Sequence, residues 1–222
     1  MGKDKQPKHR QQARDLARKE SRHAPYARIL IVCEGEKTEP LYFGEIQQEY
    51  RLNPANVKIV HPKCTTPLQI VEAAIERVKE DKEWDYAYCV FDRDDHPNYD
   101  QALQKATAND KKIPMSSGET ARLIAIPSSP CFELWLLLHF AYHDSDSHRS
   151  LVTDLLDQPD RLPGYTKGQG DHFARTKDRL AEAYKNAETL RSERNRHGSI
   201  GVPYTNVDLL VRHLMTLGST HK

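Results

Sequence analysis

The chain has 222 residues, a length that suits one domain with at most a small appendage. Its 33 Lys and Arg nearly balance its 32 Asp and Glu, so the net charge of +1 neither favours nor excludes a nucleic-acid partner. No apolar stretch approaches the roughly 20 residues of a membrane span, and the polar N-terminus does not fit a signal peptide. The four cysteines form no C-x-x-C pair and are interpreted as reduced core residues, which predicts a cytoplasmic protein without a membrane partner.

Positive charge is concentrated at the N-terminus. Residues 1–25 contain eight Lys or Arg and three Asp or Glu, a net charge of +5 that leaves −4 for residues 26–222. Because this segment has few apolar residues, we predict a flexible basic tail ahead of a single domain over 26–222. Such a tail either lies along phosphate groups or is a solvated chain end, and the sequence favours neither.

Short apolar runs alternate with segments of helical periodicity along the rest of the chain. The apolar runs predict strands at 28–33, 57–61, 85–91 and 121–128. The periodic segments predict helices from Pro40, from Pro67 behind a Thr66 cap, near 98–109, over 130–142, over 172–193 and over 205–215. The region 144–170 is polar and interrupted by Pro and Gly, which predicts loops.

The alternation of strands and helices predicts an α/β fold, with a mostly parallel sheet flanked by helices and a helical C-terminal part. In such sheets, binding sites lie beyond the carboxyl ends of the strands. Glu34 follows the first predicted strand, and Asp92 and Asp94 follow the third. If these strands are neighbours, about 4.8 Å apart, the three carboxylates converge at one edge of the sheet.

Converging carboxylates repel one another strongly unless a cation neutralises them. Hard oxygen ligands select Mg²⁺ or Mn²⁺, and Asp-x-Asp spacing lets two carboxylates face one ion while the side chain between them points away. A site of this kind suits phosphodiester hydrolysis, because the metal polarises the phosphate and activates water. For any single loop acid, ordinary solvation is the simpler interpretation. The prediction of a metal site therefore depends on Glu34, Asp92 and Asp94 taken together.

A glutamate after strand one and Asp-x-Asp after strand three resemble the Toprim domain of topoisomerases, primases and OLD-type nucleases. More closely, the chain resembles the RloB family from about Arg28 to Leu217, in five blocks: LIVCEGEKTEPLYF, FDRDDH, SSPCFELWLLLHF, YTKGQGDHF and PYTNVDLLVRHL. This resemblance implies a Toprim-like (Rossmannoid) fold and a metal-dependent nuclease. It also implies similarity to the AbiL-type abortive infection component and an AAA- or ABC-type ATPase partner in phage defence.

On the Toprim pattern, Glu34 is expected to be the general acid/base or a metal ligand, and Asp92 and Asp94 are expected to be metal ligands. The tyrosine of topoisomerases and the zinc module of primases have no counterpart in this sequence, so strand passage and primer synthesis are not expected. The expected partner is a nucleic acid. The sequence does not distinguish DNA from RNA, because a metal site cleaves phosphodiesters without reading the sugar.

Glu133 and Lys167 are further candidates for the same site. Glu133 lies in an otherwise apolar helix, where a buried carboxylate needs a partner or a metal. A first-turn glutamate favoured by the helix dipole is an equally good explanation. Lys167 lies in a Gly-flanked loop that either folds over the site, to stabilise charge on a phosphate, or stays exposed.

The weaker candidates have simpler interpretations as loop, core or surface residues. They are Asp95, Glu36, Glu39, Lys37, the pair His139 and His143, and the arginine-rich segment 191–197. The leading hypothesis is a Mg²⁺-dependent nuclease in an anti-phage system. Two alternatives stay open: a non-catalytic nucleic-acid-binding or sensor subunit that docks an ATPase, and another phosphoryl-transfer enzyme acting on nucleotides.

Overall fold

The computed structural model describes residues 27–64, 66–94, 96–197 and 203–219. Within these residues the strands are β1 (Ile29–Cys33), β2 (Val57–Val60), β3 (Tyr86–Asp92), β4 (Ile113–Pro114), β5 (Thr120–Ser129) and β6 (Tyr204–Thr205). The order across the sheet is β2-β1-β3-β5-β4, and β6 pairs with β5. β2, β1, β3 and β5 run parallel, whereas β4 and β6 are antiparallel to β5. The predicted α/β fold with a mostly parallel sheet is confirmed.

Helices pack against both faces of this sheet. They are α1 (Thr38–Glu49), α2 (Pro67–Asp81), α3 (Tyr99–Asn109), α4 (Glu133–Leu137), α5 (Arg149–Leu156), α6 (His172–Thr176), α7 (Leu180–His197) and α8 (Val207–Ser219). From α4 onward the described chain is mainly helical, which confirms the predicted helical C-terminal part.

Strand β1 lies between two hydrophobic cores and is buried along its whole length. Its alternate residues point to opposite faces of the sheet, as the two-residue period of a strand requires. Ile29 and Ile31 pack with α1 and α4–α8, whereas Leu30 and Val32 pack with α2 and α3. This explains why the run at 28–33 is continuously apolar. The four cysteines are unpaired, and three of them are buried.

Three helices differ in extent from the prediction. α1 begins at Thr38, two residues before Pro40. Of the segment 130–142 only α4 is helical, and beyond it the backbone N–H of His139 donates to Leu136 at 3.3 Å and that of Phe140 to Leu137 at 2.9 Å, a turn pattern. The predicted helix at 172–193 is divided into α6 and α7 by a 3₁₀ turn at Lys177–Arg179.

Helix α5 lies inside the region 144–170, where loops were predicted. Only Val152 and Leu156 of its eight residues are buried, so its apolar pattern is too short to stand out in the sequence. Its N-cap is His148, whose Nδ1 accepts the backbone N–H of Ser150 at 3.3 Å. The two-residue strands β4 and β6 were also missed, because two residues carry no periodic pattern.

Two sequence predictions fall on parts of the chain outside the described residues. These are the basic tail at 1–25 and the candidate Asp95. Among the described helices, none is long and apolar enough to cross a membrane.

Candidate functional site

The ends of β1 and β3 bring the predicted carboxylates to the same edge of the sheet. The two strands are adjacent and parallel, with Cys33 opposite Val90. Glu34 continues this pairing, since its backbone N–H donates to the carbonyl of Val90 at 3.0 Å. Asp92 is the last residue of β3 and lies beside Ser128 of β5. The sheet topology therefore places Glu34 and Asp92 next to each other at its carboxyl edge.

Glu34 is held in place by the start of the loop that follows β3. Its Oε2 accepts the backbone N–H of Asp92 at 3.0 Å, and its Oε1 lies 3.4 Å from Nε2 of His96. Burial raises the pKa of Glu34, and the hydrogen bond from Asp92 and the nearby His96 partly oppose this rise. The carboxylate is thus oriented by a backbone donor rather than left free in solvent.

Asp92 and Asp94 face one side of the loop, and Arg93 faces the other. The guanidinium of Arg93 lies over the ring of Tyr99, with 5.8 Å to its centroid. Asp94 adopts the left-handed backbone region, with φ of 34°, which Asp tolerates better than most residues. Burial raises the pKa of Asp92 well above its usual range, and the nearby carboxylates, Glu39 first among them, raise it further. The intervening side chain points away, as the Asp-x-Asp spacing suggested.

Arg149, the first residue of α5, reaches across to these two aspartates. Its Nη1 is hydrogen-bonded to Oδ2 of Asp94, and its Nη2 lies 3.9 Å from Oδ2 of Asp92. The Arg149 side chain is 36% exposed. No sequence signal indicated this residue, because it lies 55 positions from Asp94, in a segment whose helix was not predicted.

Glu133 and Lys167 form a second charged pair in the same cleft. Lys167 Nζ lies 2.9 Å from Glu133 Oε1, and the hydroxyl of Tyr165 donates to the same oxygen at 2.9 Å. Burial acts to raise the pKa of Glu133, but Lys167 and the hydrogen bonds outweigh it, so the pKa is lowered. Glu133 is therefore a stably ionised carboxylate that is only 2% exposed.

The loop that carries Lys167 lies against the loop after β1. Gly164 and Gly168 have φ of 74° and 84°, a region that favours glycine. An added Cβ on Gly168 would lie 2.7 Å from Cδ of Lys37. The close approach of the two loops brings Lys167 to the cleft, so this loop covers the site rather than standing away from it.

Glu39 also lies in the cleft, although the sequence favoured an ordinary acid at a helix start. It belongs to the first turn of α1 and is buried. Its carboxylate lies against Gly35, where an added Cβ would come within 1.9 Å of Glu39 Oε2. Burial, together with the charge of Glu133, raises the pKa of Glu39 to about 7. The small residue at position 35 was the one available sequence signal for this packing.

Together these residues enclose a cleft of about 300 Å³ at the carboxyl edge of the sheet. Its charged lining comprises six carboxylates and three cations, namely Glu34, Glu36, Glu39, Asp92, Asp94, Glu133, Lys37, Arg149 and Lys167. Glu36 is the most solvent-facing of the carboxylates, and its Oε1 lies 3.6 Å from Nε2 of His61. With every group ionised the cleft is strongly acidic.

The donor chemistry of the cleft fits a hard divalent cation, because every candidate ligand is a carboxylate oxygen. The buried Asp92, surrounded by other carboxylates, is a group whose charge such a cation would neutralise. Within the described residues, however, no group of three or more His, Cys, Asp or Glu is arranged to hold a metal ion. The metal site at Glu34, Asp92 and Asp94 therefore stays a prediction.

The histidine pair does not form part of this site. His139 is fully buried, and burial lowers the pKa of its imidazole to about 4. His143 instead places Nε2 3.1 Å from Oγ of Ser147. Their i, i+4 spacing therefore does not produce a shared ligand position, because the helix ends at Leu137, before either residue.

The arginine-rich segment 191–197 lies on α7, away from the cleft. Arg191 Nη2 donates to Oδ2 of the buried Asp208 at 2.8 Å, so this arginine joins α7 to α8. Arg196 lines a separate groove of about 470 Å³ between the same helices, together with Lys185 and Arg212. This groove is basic but lacks a cluster of carboxylates, so it is not the better candidate for metal-dependent chemistry.

The fold and the cleft define a class: an α/β protein with a mostly parallel open sheet and an acidic cleft beyond the carboxyl ends of its strands. The chain belongs to the RloB-like protein family, whose model matches residues 29–214. This confirms the family resemblance seen in the five sequence blocks. Searches of curated proteins and of solved structures found no match.

Proposed function

We propose that the protein is a Mg²⁺- or Mn²⁺-dependent nuclease of a Toprim-like type, which hydrolyses phosphodiester bonds in DNA or RNA. The observation that carries the proposal is the meeting of Glu34, Asp92 and Asp94 in one cleft at the carboxyl edge of the sheet. These residues would hold the ion. When bound, the ion supplies charge to polarise the phosphate and a water of lowered pKa.

The acidic lining itself supports a requirement for cations. Six carboxylates outnumber three cations in the cleft, and a nucleic-acid backbone is a polyanion. Repulsion would therefore oppose substrate entry until bound cations reverse the sign of the local potential. A cleft that bound nucleic acid without a metal would be expected to contain more cationic than acidic side chains.

In this proposal Lys167 contacts a phosphate oxygen of the substrate. Its side chain is about half exposed and lines the cleft. Glu133 holds this ammonium from the buried side, and Tyr165 in turn fixes the position of Glu133. An ammonium oriented in this way stabilises negative charge that develops on a phosphate during cleavage.

A role in anti-phage defence, in the cytoplasm and with an AAA- or ABC-type ATPase partner, is part of the same proposal. It is supported by membership of the RloB-like family and by the resemblance to abortive infection components. The second candidate function is a non-catalytic nucleic-acid-binding or sensor subunit that docks such an ATPase. It is favoured by the pairing of Arg149 with Asp94, which gives one of the proposed metal ligands a partner within the protein.

The test is incubation with plasmid DNA and with total RNA in Mg²⁺ or Mn²⁺, with and without a co-encoded ATPase. Asp92→Asn serves as the inactive variant, and Asp154→Asn, an exposed substitution on α5 outside the cleft, serves as the matched control. Metal-dependent cleavage by the wild type and the control, but not by Asp92→Asn, supports the nuclease. Binding without cleavage under every condition favours the subunit.

A further inference from the structure

The position of Arg149 suggests a role that differs from that of the other cations in the cleft. Its guanidinium contacts Asp94 directly and lies 3.9 Å from Asp92, and these are two of the three carboxylates proposed as metal ligands. Lys167 pairs instead with Glu133, with 2.9 Å between Nζ and Oε1. Arg149 is therefore the cation closest to two of the carboxylates that would hold the ion.

A guanidinium stays protonated at every physiological pH, so it cannot be removed from this position by loss of a proton. It can be removed only by movement of the side chain. The backbone of Arg149 belongs to α5, which is anchored to the core through Val152 and Leu156. The Arg149 side chain is 36% exposed, and release of the guanidinium would require rotation of this side chain alone.

We propose that Arg149 is an exchangeable counter-ion of the cleft. In the metal-free protein it pairs with Asp94 and lies beside Asp92. When a divalent cation binds these carboxylates, the guanidinium leaves Asp94 and takes a phosphate oxygen of the nucleic-acid substrate. The inference rests on the proposed nuclease function and adds to it the residue that couples metal binding to substrate binding.

The exchange is favourable on electrostatic grounds. A divalent ion carries twice the charge of the guanidinium and contacts hard oxygen ligands at about 2.0–2.6 Å. Once the ion neutralises both aspartates, the released guanidinium no longer has an ion-pair partner. A phosphate group is then its most favourable partner, because the guanidinium can bind it through two parallel hydrogen bonds. Arg149 would thus weaken metal binding and strengthen substrate binding.

The competing explanation is that Arg149 is a fixed positioning residue that holds Asp94 in its left-handed backbone conformation. The two explanations predict opposite effects of Arg149→Gln on metal affinity. An exchangeable counter-ion competes with the metal, so its removal should tighten metal binding. A positioning residue prepares the ligand, so its removal should weaken metal binding.

Mn²⁺ binding measured by titration calorimetry distinguishes them. Arg149→Gln should bind Mn²⁺ about tenfold more tightly than the wild type, since one repelling positive charge has been removed near the ion. The matched control is Arg122→Gln, which breaks a similarly exposed ion pair with Asp110 outside the cleft, where Nε and Oδ1 are 2.8 Å apart. Its Mn²⁺ affinity should equal that of the wild type.

A second measurement tests the substrate half of the inference. A fluorescent single-stranded oligonucleotide, prepared once as DNA and once as RNA, is titrated in Ca²⁺ so that cleavage is slow. Arg149→Gln should bind it about tenfold more weakly than the wild type, even though its metal site is filled more easily. Arg149→Lys keeps the charge, so its Mn²⁺ affinity should match the wild type while its oligonucleotide affinity falls.

Unchanged or weaker Mn²⁺ binding by Arg149→Gln overturns the exchange and leaves Arg149 a positioning residue. Unchanged oligonucleotide affinity in both variants overturns the phosphate contact. If Arg149→Gln does not fold, the oligonucleotide affinity of Arg149→Lys decides whether Arg149 contacts a phosphate. Absence of Mn²⁺ binding by the wild-type protein is a different result, because it removes the proposed metal-dependent function together with the inference.

Discussion

Replacement of Glu39 by Gln removes the charge of a buried carboxylate and keeps its shape. In the folded protein, burial and the neighbouring Glu133 raise the pKa of Glu39 from 4.5 to about 7. The ionised form is therefore disfavoured by the fold. Gln cannot ionise, and its amide group can donate to the adjacent carboxylates, so the variant should unfold less easily than the wild type.

The size of this gain follows from the displacement of the pKa. A difference of about 2.5 units between 4.5 and about 7, at about 1.4 kcal/mol per unit, gives about 3 kcal/mol in the free energy of unfolding. Because the folded pKa is raised, the cost is absent below pH 4.5, develops as the pH rises toward 7 and is complete above it. For a chain of this length, that gain is a rise of about 6–12 °C in melting temperature.

The assay is thermal unfolding in EDTA at several pH values from acid to slightly alkaline. Glu36→Gln is the matched control, since Glu36 lines the same cleft with a side chain that is 72% exposed, and it should change stability little. Added Mn²⁺ should reduce the advantage of Glu39→Gln, because a cation neutralises the carboxylates in the wild type. An equal gain at all pH values, or no gain above pH 7, would refute this account of Glu39.

Three further predictions concern the cleft and the C-terminal helices. Asp92→Asn should abolish metal-dependent cleavage. Its melting temperature in EDTA should stay level or rise, because burial and nearby carboxylates already disfavour the charged form of Asp92. Inactivity caused only by unfolding would count against a metal ligand at this position. Gly35→Ala should weaken Mn²⁺ binding with little loss of stability, because the new methyl group displaces the flexible Glu39 side chain; unchanged affinity in calorimetry would show that Glu39 is dispensable there. Arg191→Gln should cost about 3–5 kcal/mol in urea unfolding, because it leaves Asp208 buried and unpaired, and a loss no larger than that of the exposed Lys185→Gln would contradict it.

Local sequence patterns suffice to predict two features of this fold. The continuous apolar run of β1 predicted a strand buried on both faces, and the strand is buried along its length. The Thr66–Pro67 signal predicted the start of α2, where Thr66 Oγ1 accepts the backbone N–H of Gln69 at 3.4 Å. Both features depend on residues within a few positions of one another, which is why they can be predicted without knowledge of the fold.

Reliance on local patterns also explains which elements were predicted wrongly. The helix expected over 130–142 stops at Leu137, although the apolar pattern continues, and the backbone N–H groups of His139 and Phe140 donate to carbonyls three positions back, as in turns. Helix α5 buries only two residues and was missed. A short element is stabilised mainly by its contacts with the rest of the protein, and those contacts leave little periodicity in the sequence.

By itself the sequence determined that Glu34 and Asp92 lie at one edge of the sheet, since strand polarity and strand ends are encoded locally and parallel strands end together. Only the tertiary structure decided which other charges join them. Glu39 enters the cleft because Gly35 leaves room for its carboxylate, and Arg149 reaches Asp94 because α5 packs beside α4. The contact of Arg149 with Asp94 links residues 55 positions apart, so no local pattern can reveal it. Gly35 and Glu39 are near neighbours in the chain, but only the fold brings the Glu39 carboxylate close to Asp92 and Glu133, which come from distant segments.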